Sequence, residues 1–237
     1  MTSKNKLKLF DMVKDSIKYV FKDWKAVIIL GIIINLLNVL TSIDFSNNLI
    51  IFSIIILFTL ILTLFEMGYS FKIIEESLDG SIRPPIFNNF KDMLVHGIKD
   101  IMAYIFYGLI IVILIVIFLI IASLYPESLP LIILIAMIST SFIFLLLNVS
   151  LVNLALNHGK IKAIFNIKDL SRLLIKIGLI NIIVLNIVYM IVEFFLYSSF
   201  VLLELLSNSY IISLLYDLIV SPFLIIFSKR LLSIAAR

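Results

Sequence analysis

The stretch Glu66–Asp100, EMGYSFKIIEESLDGSIRPPIFNNFKDMLVHGIKD, decides how the chain is threaded, because it is the only long polar connector between apolar runs. Within it, Gly80 is typical of the residue that follows a helix end. The prolines of Arg83–Pro85 prevent that helix from continuing. The asparagine pair at 88–89 is suited to cap a new helix that begins near Phe90. The stretch is therefore predicted to join two membrane hairpins through a short helix, a turn and a second helix at the interface.

The composition of the whole chain is that of a membrane protein. Of its 237 residues, 62% are hydrophobic and 14% are charged, whereas a soluble domain carries about 25% charged residues. Side chains this apolar are stable only when lipid surrounds them. The absence of cysteine excludes a disulfide framework and a thiolate metal site. Lys and Asp interrupt the N-terminus before any apolar run, so no cleavable signal is expected and the first span should direct insertion.

Six apolar runs are long enough to cross about 30 Å of hydrocarbon, which takes about 20 helical residues. They are Val27–Ile43, Leu49–Met67, Ile101–Leu124, Leu129–Leu156, Leu174–Leu203 and Tyr210–Phe227. The fourth and fifth exceed this length, so tilt or an extension beyond the bilayer is expected. The predicted fold is an all-α membrane bundle of six transmembrane helices with juxtamembrane amphipathic helices. The membrane domain covers 26–237, with cytoplasmic connectors at 68–100 and 157–173.

Residues 1–25 are predicted to form an interfacial amphipathic helix. Apolar side chains recur at three- and four-residue spacing in Leu7–Trp24, and lysines occupy the other faces. The apolar set is Phe10, Val13, Ile17, Phe21 and Trp24. A helix that packs on a soluble partner is the alternative, which the membrane span that follows at once makes less favourable.

Charge predicts the orientation. All 19 Lys and Arg residues fall in the N-terminal segment, the two long connectors and the C-terminal tail. The alternate loops carry only Asp44, Glu127 and Glu204. Positive charge is retained on the cytoplasmic side, so both termini are predicted to be cytoplasmic and the protein to be a multi-pass protein of the plasma membrane. The bilayer with anionic head groups is the expected partner, and no basic patch points to nucleic acid.

Lys-Asp pairs at 22–23, 91–92 and 168–169 each precede an inside-to-outside span. Each Asp is expected near a helix N-terminus, where the macrodipole favours an anion. Three copies of a unit, an interfacial helix followed by a transmembrane hairpin, would explain the spacing. Chance is the alternative, because Lys-Asp pairs are common at membrane edges.

Several short segments resemble a family of membrane proteins of unknown function. In the first half they are Lys22-Asp23-Trp24, Gly68-Tyr69, Ser77-Leu78-Asp79-Gly80, Pro85 with Phe87, Asn89-Phe90 and His96-Gly97-Ile98-Lys99. Ala163-Ile164-Phe165 and Ile177-Gly178 follow in the second half. In this order they resemble the domain-of-unknown-function 4013 family, best known from methanogenic archaea. Phe90 and His96 depart from that family's usual residues. The resemblance implies a multi-pass architecture and brings no known activity.

A polar stripe on the fifth span, together with an acid on the sixth, is the candidate intramembrane site. Its members are Asn186, Tyr189, Glu193, Tyr197 and Asp217. Counted from the turn near Ser207, Glu193 and Asp217 differ in depth by roughly 6 Å, so they are expected to face one another or to share a water. An ionised carboxylate in hydrocarbon is costly. Two interpretations follow, a proton or cation relay and a protonated acid that is satisfied by Tyr or Asn.

Other polar residues in the spans are expected to form interhelical hydrogen bonds. These are Asn35, Asn38, Asn148, Asn153 and Asn181. Glu66 is expected to reach water at the inner edge of the second span, near Lys72. No GxxxG pattern occurs, so close helix crossings are predicted to use small residues other than glycine.

The connector surface is the second candidate region, with Arg83, Pro84, Pro85, Phe87, Phe90 and His96 as its members. His96 and His158 lack the spacing of a zinc motif, and no phosphate-binding loop or serine elbow occurs. No metal or cofactor is therefore predicted, and no residues nominate an enzyme.

The sequence leaves two classes of function open. The first is a non-catalytic scaffold that binds an unidentified membrane or cytoplasmic protein through its connectors. The second is a small transporter or permease that uses the intramembrane acids. A scaffold predicts a dry bundle, whereas a transporter predicts a wet cavity that reaches Glu193 or Asp217. A lipid-modifying enzyme would need His96 or His158 beside acids in a pocket.

Overall fold

The computed structural model describes residues 9–42, 48–207 and 209–237. The helices are α1 (Leu9–Val20), α2 (Trp24–Ser42), α3 (Leu49–Leu78), α4 (Phe90–Leu124), α5 (Leu129–Leu156), α6 (Ile167–Ile177), α7 (Leu179–Ser207), α8 (Ile211–Leu215) and α9 (Ser221–Ala236). Pro126–Ser128 and Ile161–Phe165 form 3₁₀ turns, and a π-helical segment, Tyr216–Val220, joins α8 to α9. No strand occurs in these three ranges. The all-α fold is confirmed.

Within the described residues, six helices are long and apolar enough to cross a membrane, as predicted. They are Trp24–Ser42, Leu49–Leu78, Phe90–Leu124, Pro126–Leu156, Leu179–Ser207 and Ile211–Ala236. Some predicted positions lie outside the described residues. They are Leu7 at the start of the first helix, Ile43 at the end of the first span, and Asp44 in the loop that follows. The fifth span starts at Leu179 and not at Leu174, because Gly178 adopts a positive φ of 89° and ends α6. The sixth continues past Phe227 to Ala236.

The bundle is built around α3, which packs against α2, α4, α5 and α9. One buried apolar cluster joins α4, α5 and α6 to α3, and a second joins α1, α2 and α9 to it. By contrast, α7 packs mainly on α9 and hardly touches α5. Much of the apolar surface of α4, α5 and α7 is exposed, as expected for helices surrounded by lipid. The arrangement leaves a gap between the α4–α5 hairpin and α7.

Close crossing of α3 and α4 depends on two glycines. A Cβ atom at Gly68 would overlap the carbonyl oxygen of Met93, and one at Gly97 would overlap that of Leu64. Gly31 of α2 meets the backbone of Leu218 in the same way. The expectation that glycine has no part in the crossings was therefore wrong. A sequence search for GxxxG examines one helix at a time, whereas these glycines are paired across two helices.

Several turns meet at one side of the bundle, which we call the basic end. Lys176 Nζ donates to the carbonyl oxygen of Ala236 over 2.8 Å. The Arg237 guanidinium lies beside Gly80, and the Lys99 ammonium lies beside Gly159. The α3–α4 turn, the α5–α6 turn and the C-terminus of α9 are thereby adjacent. Lys99, Lys176 and Arg237, which the sequence assigns to the connectors and the tail, therefore lie at the same end of the described residues.

The α3–α4 turn follows the sequence prediction closely. Leu78 ends α3, Gly80 has a φ of 92° and Phe90 begins α4. The Tyr69 hydroxyl donates to the carbonyl oxygen of Pro85 over 3.0 Å, and its ring stacks on Phe87 with centroids 3.9 Å apart. One part of the prediction was wrong: no separate interfacial helix precedes the third span, because α4 runs unbroken from Phe90 to Leu124.

Helix α1 ends at Val20, so Trp24 begins the next helix and does not belong to the same one. Most of the predicted apolar face, Phe10, Ile17, Phe21 and Trp24, is exposed and Val13 is half-buried. The opposite side packs on the bundle through Ser16, Tyr19 and Val20. The helix therefore presents its apolar residues outwards while its other side is anchored to the protein.

Arg230 of α9 provides that anchor. Its Nε and Nη2 atoms lie 3.0 and 2.9 Å from Asp15 Oδ2, and its Nη1 donates to the carbonyl oxygen of Ser81 over 2.7 Å. The guanidinium also lies over the Tyr19 ring, 4.4 Å from its centroid. Burial raises the pKa of the Tyr19 hydroxyl to about 12. One buried arginine thus connects α1, the α3–α4 turn and α9.

The acid of each Lys-Asp pair lies at a helix N-terminus, as expected. Asp23 caps α2 by accepting from the backbone N–H of Lys25 and Ala26. Asp92 and Asp169 lie in the first turns of α4 and α6, each paired with the preceding cap asparagine. The first pair follows α1, whereas the third pair lies in the first turn of α6. The three copies are therefore not equivalent, and the repeated unit as predicted does not describe the fold.

Candidate functional site

A cavity of about 550 Å³ lies among α3, α4, α5, α7 and α9. Three ionisable side chains line it, Glu66 from α3, Asp100 from α4 and Lys229 from α9. Its neutral polar lining comprises Thr63, Ser70, Tyr104, Asn148, Asn186, Tyr189 and Ser228. A volume of this size lies within the range of small-molecule sites. We refer to this feature as the charged cavity.

Asp100 is the most deeply buried charged group of the site, with 2% of its surface exposed. Its Oδ1 atom is buried and has no hydrogen-bond partner. A buried polar atom left without a partner costs about 1–3 kcal/mol, and more when it is charged. Native proteins tolerate few such groups, so each needs an explanation. In this protein the explanation is a cavity with room for a donor beside the carboxylate.

Lys229 reaches the charged cavity because α9 continues well beyond the predicted end of the sixth span. Its ammonium lies near Tyr104, Asp100 and Glu66. Protein surrounds the lysine on most sides, and the cavity itself leaves it half-exposed. The residue was assigned from sequence to a cytoplasmic tail, which was wrong.

Glu66 also lies in the charged cavity, whereas Lys72, its expected neighbour, does not line it. Lys72 instead faces Glu76 at 4.0 Å and donates to Asn88 Oδ1 over 3.2 Å. The helix turns Glu66 and Lys72 to different sides, since six residues correspond to about 600° of rotation. Glu66 is thereby directed to Asp100 and Lys229 and not to the α3–α4 turn.

The charged cavity is bordered by buried residues on one side and by exposed residues on another. Leu147 and Leu232 line it and belong to the same buried cluster as Leu173 and Ile177 of α6. On another side the lining includes Phe144, which is 51% exposed. That side faces the gap between α5 and α7. The opening is therefore directed towards the region that lipid occupies.

The predicted polar stripe on the fifth span is divided by the structure. Asn186 and Tyr189 line the charged cavity, whereas Glu193 and Tyr197 lie further along α7 and do not. Glu193 follows Tyr189 by one helical turn and lies near it. Only half of the stripe therefore belongs to the site that the structure shows.

Asp217 is directed to the second helix of the bundle. Its Oδ2 atom accepts a hydrogen bond of 2.7 Å from Asn38 Nδ2. This is the kind of interhelical bond expected of Asn38. The acid lies in the π-helical segment, next to Tyr216, whose ring contacts that of Tyr197 with centroids 5.9 Å apart. Glu193 and Asp217 are therefore neighbours of the same tyrosine, Tyr216, and Asp217 has its own partner.

The connector residues fall into two groups. Arg83 and Phe90 are exposed, whereas Pro84 and Pro85 are buried and Phe87 is half-buried against Tyr69. His96 stacks on Phe71, and its Nε2 atom lies 3.9 Å from Glu75. Most of this set thus packs the turn against the bundle. Its use as a partner-binding surface stays a prediction.

Within the described ranges, no group of three His, Cys, Asp or Glu residues is arranged to hold a metal ion. His158 lies in the turn after α5 with a φ of 52°. His96 and His158 do not line the charged cavity.

Sequence reasoning missed the charged cavity because it assigned Asp100 to a connector and Lys229 to a tail. A signal was present in the helical spacing. Asp100 lies ten residues into the helix that begins at Phe90, and Tyr104 follows it by four residues. Both therefore share one face of a long helix, and an acid within a membrane helix is uncommon.

Comparison with known proteins gives one family. The family described as "Protein of unknown function (DUF4013)" matches residues 51–207, more than half of the chain and the part that contains Glu66 and Asp100. Searches of curated proteins and of solved structures found no match. Together with the six apolar helices, this match shows that the chain is a multi-pass membrane protein that belongs to the DUF4013 family.

Proposed function

We propose that this protein is a small transporter or permease of the plasma membrane whose substrate site is the charged cavity. The observation that carries the proposal is Asp100, a buried carboxylate with an oxygen that has no partner, beside a volume of about 550 Å³. Ionisable residues within membrane helices usually mark the path of a substrate or ion. Two further charges, from Glu66 and Lys229, line the same volume.

The alternative function, a scaffold, has less support. It predicts a dry bundle with paired polar side chains, and it relies on the connector for contacts. The charged cavity contains three ionisable side chains, and the prolines of the connector are buried. The observed cavity also differs from the one predicted for a transporter, because it reaches Asn186 and Tyr189 but not Glu193 or Asp217.

The orientation belongs to the same proposal. With the basic end in the cytoplasm, the charged cavity lies in the inner half of the bilayer and both termini are cytoplasmic. Because the chain has no cysteine, single-cysteine variants report accessibility without background. In intact cells, Glu127→Cys should react with an impermeant maleimide, whereas Arg83→Cys should react only after the membrane is permeabilised. The reverse pattern would contradict the orientation.

The cavity itself is tested with two serines of α9. Ser228 lines the charged cavity, whereas Ser233 is fully buried outside it. In membrane vesicles, a small positively charged methanethiosulfonate should modify Ser228→Cys at least tenfold faster than Ser233→Cys. Equal, slow modification of the two variants would mean that the cavity is closed to water, and the proposed substrate site would be refuted.

A further inference from the structure

The two carboxylates of the charged cavity form no ion pair with its one ammonium in the described residues. Asp100 Oδ1 is buried without a hydrogen-bond partner. The Lys229 ammonium lies beside the Tyr104 hydroxyl and near both acids. The carboxylates thus retain the capacity to accept from a ligand. The carboxylates accept from a protonated amine, and the ammonium donates to an anionic oxygen.

The depth of these groups matches a head-group layer. Glu66 lies at the end of the apolar run 49–67, and Asp100 directly precedes the run 101–124. Both acids therefore lie where the hydrocarbon layer ends on the side of the basic end. Lipid head groups of that leaflet lie at the same level. A lipid beside the protein would thus have its polar end at the depth of the charged cavity.

The opening of the charged cavity also faces lipid. The buried cluster that includes α6 borders it on one side, whereas α5 and α7, which line another side, hardly touch each other. Phe144 and Tyr104, which line it, are 51% and 37% exposed. A molecule that enters through this gap comes from the bilayer, with its apolar part still among the acyl chains. Such a molecule is an amphiphile.

We propose that the charged cavity binds the zwitterionic head group of an amphiphile that enters from the bilayer, with its protonated amine against Asp100 and Glu66 and its anionic group at Lys229. An aminophospholipid has this chemistry. The inference rests on the proposed function, for which it names the substrate class. A free molecule with the same two groups shares the chemistry but would have to arrive from water.

The test compares lipids that differ in one group. The purified protein is mixed with phosphatidylethanolamine, phosphatidylcholine or phosphatidylglycerol, and bound lipid is measured by native mass spectrometry. Phosphatidylcholine keeps the charge but has no N–H donor, and phosphatidylglycerol has no amine. We expect phosphatidylethanolamine to be retained at least tenfold more than either. Equal retention of the three would overturn the proposal. Free O-phosphoethanolamine that binds as well as the lipid would overturn the bilayer route.

Variants assign the preference to the charged cavity. Asp100→Asn should abolish it and Lys229→Gln should weaken binding of phosphatidylethanolamine. Asp217→Asn, at an acid that is bonded to Asn38 outside the cavity, is the matched control and should leave it unchanged. A preference that survives Asp100→Asn in a protein with unchanged elution and helicity would overturn the proposal. If Asp100→Asn does not fold, Glu66→Gln takes its place with the same expected loss.

The outcomes separate this inference from the proposed function. If Ser228→Cys is accessible but no aminophospholipid preference appears, the substrate class is wrong while the proposed site stands. If the preference appears but a fluorescent phosphatidylethanolamine does not change leaflets in reconstituted vesicles, the head-group site stands and transport is refuted.

Discussion

Replacement of Arg230 by lysine should release α1 from the bundle while the net charge stays the same. The guanidinium donates to Asp15 and to the carbonyl oxygen of Ser81, and it covers the ring of Tyr19. A single ammonium on a shorter reach cannot serve all three at once. The contacts of α1 and of the α3–α4 turn should therefore be lost separately from those of the membrane helices.

The expected loss of free energy in Arg230→Lys follows from the individual contacts of the guanidinium. A hydrogen bond from a charged group contributes about 1.5–3 kcal/mol, which applies to Ser81 at 2.7 Å. The Asp15 side chain is 48% exposed, so solvent screening reduces its pair with Arg230 to about 1 kcal/mol or less. Stacking on Tyr19 adds about 0.5–2 kcal/mol. Because lysine retains one of these contacts, the net loss should be about 2 kcal/mol, or a factor of about 30 in the opening equilibrium.

Hydrogen exchange and fluorescence report this loss. Amides of α1 and of the α3–α4 turn should exchange about 30-fold faster in Arg230→Lys, while those of α5 stay unchanged. Trp24, the only tryptophan, contacts Phe21 beside α1 and should change its emission. Arg172→Lys, at an exposed position of α6, is the control and should have no such effect. A change below threefold in α1, or one spread evenly over α5, would refute the reasoning.

Three further predictions concern packing and pH. Gly97→Val should lower the free energy of unfolding by about 2 kcal/mol or more, because the added side chain would overlap the backbone of α3. Gly108→Val should leave it unchanged, because nothing lies near that position. Equal effects of the two variants would contradict the close glycine crossing. Tyr69→Phe should cost about 1 kcal/mol in denaturant unfolding through its lost bond to Pro85, and a neutral result would exclude that bond as a support. Tyr19 has a pKa of about 12 when folded and about 10 when unfolded, so the unfolded chain releases its proton first and stability falls between pH 10 and 12. Tyr19→Phe should show a smaller fall, by about 2 kcal/mol, and identical pH curves would refute this.

The threading of the chain was predictable because it depends on properties that each residue carries independently. Apolar length gives the spans, and the fourth predicted run, Leu129–Leu156, coincides with α5. Gly80 and Phe90 mark the ends of the central turn, because a positive φ favours glycine and a proline pair stops a helix. The predicted helix limits were wrong at two places. Helix α9 continues beyond Phe227, and Gly178 divides the predicted fifth span into α6 and α7.

The candidate site was not predictable in the same way. Asn186 and Tyr189 were recognised as polar residues of the fifth span, yet their partners in the cavity lining proved to be Asp100 and Lys229, whereas Glu193 and Asp217 do not line the cavity. Those partners lie in other helices at sequence separations that no local pattern links. Their meeting depends on how α4, α7 and α9 rotate about their own axes in the bundle.

The sequence by itself determined the solvent and the number of helices long and apolar enough to cross it, because hydrophobicity acts residue by residue against the bilayer. Only the tertiary structure decided that Gly68 and Gly97 let α3 and α4 approach, that Arg230 secures α1, and that Glu66, Asp100 and Lys229 share one cavity. These features arise from the rotation and crossing of helices. Lipid is equally apolar on every side, so only contacts between helices select the face that each one turns inwards.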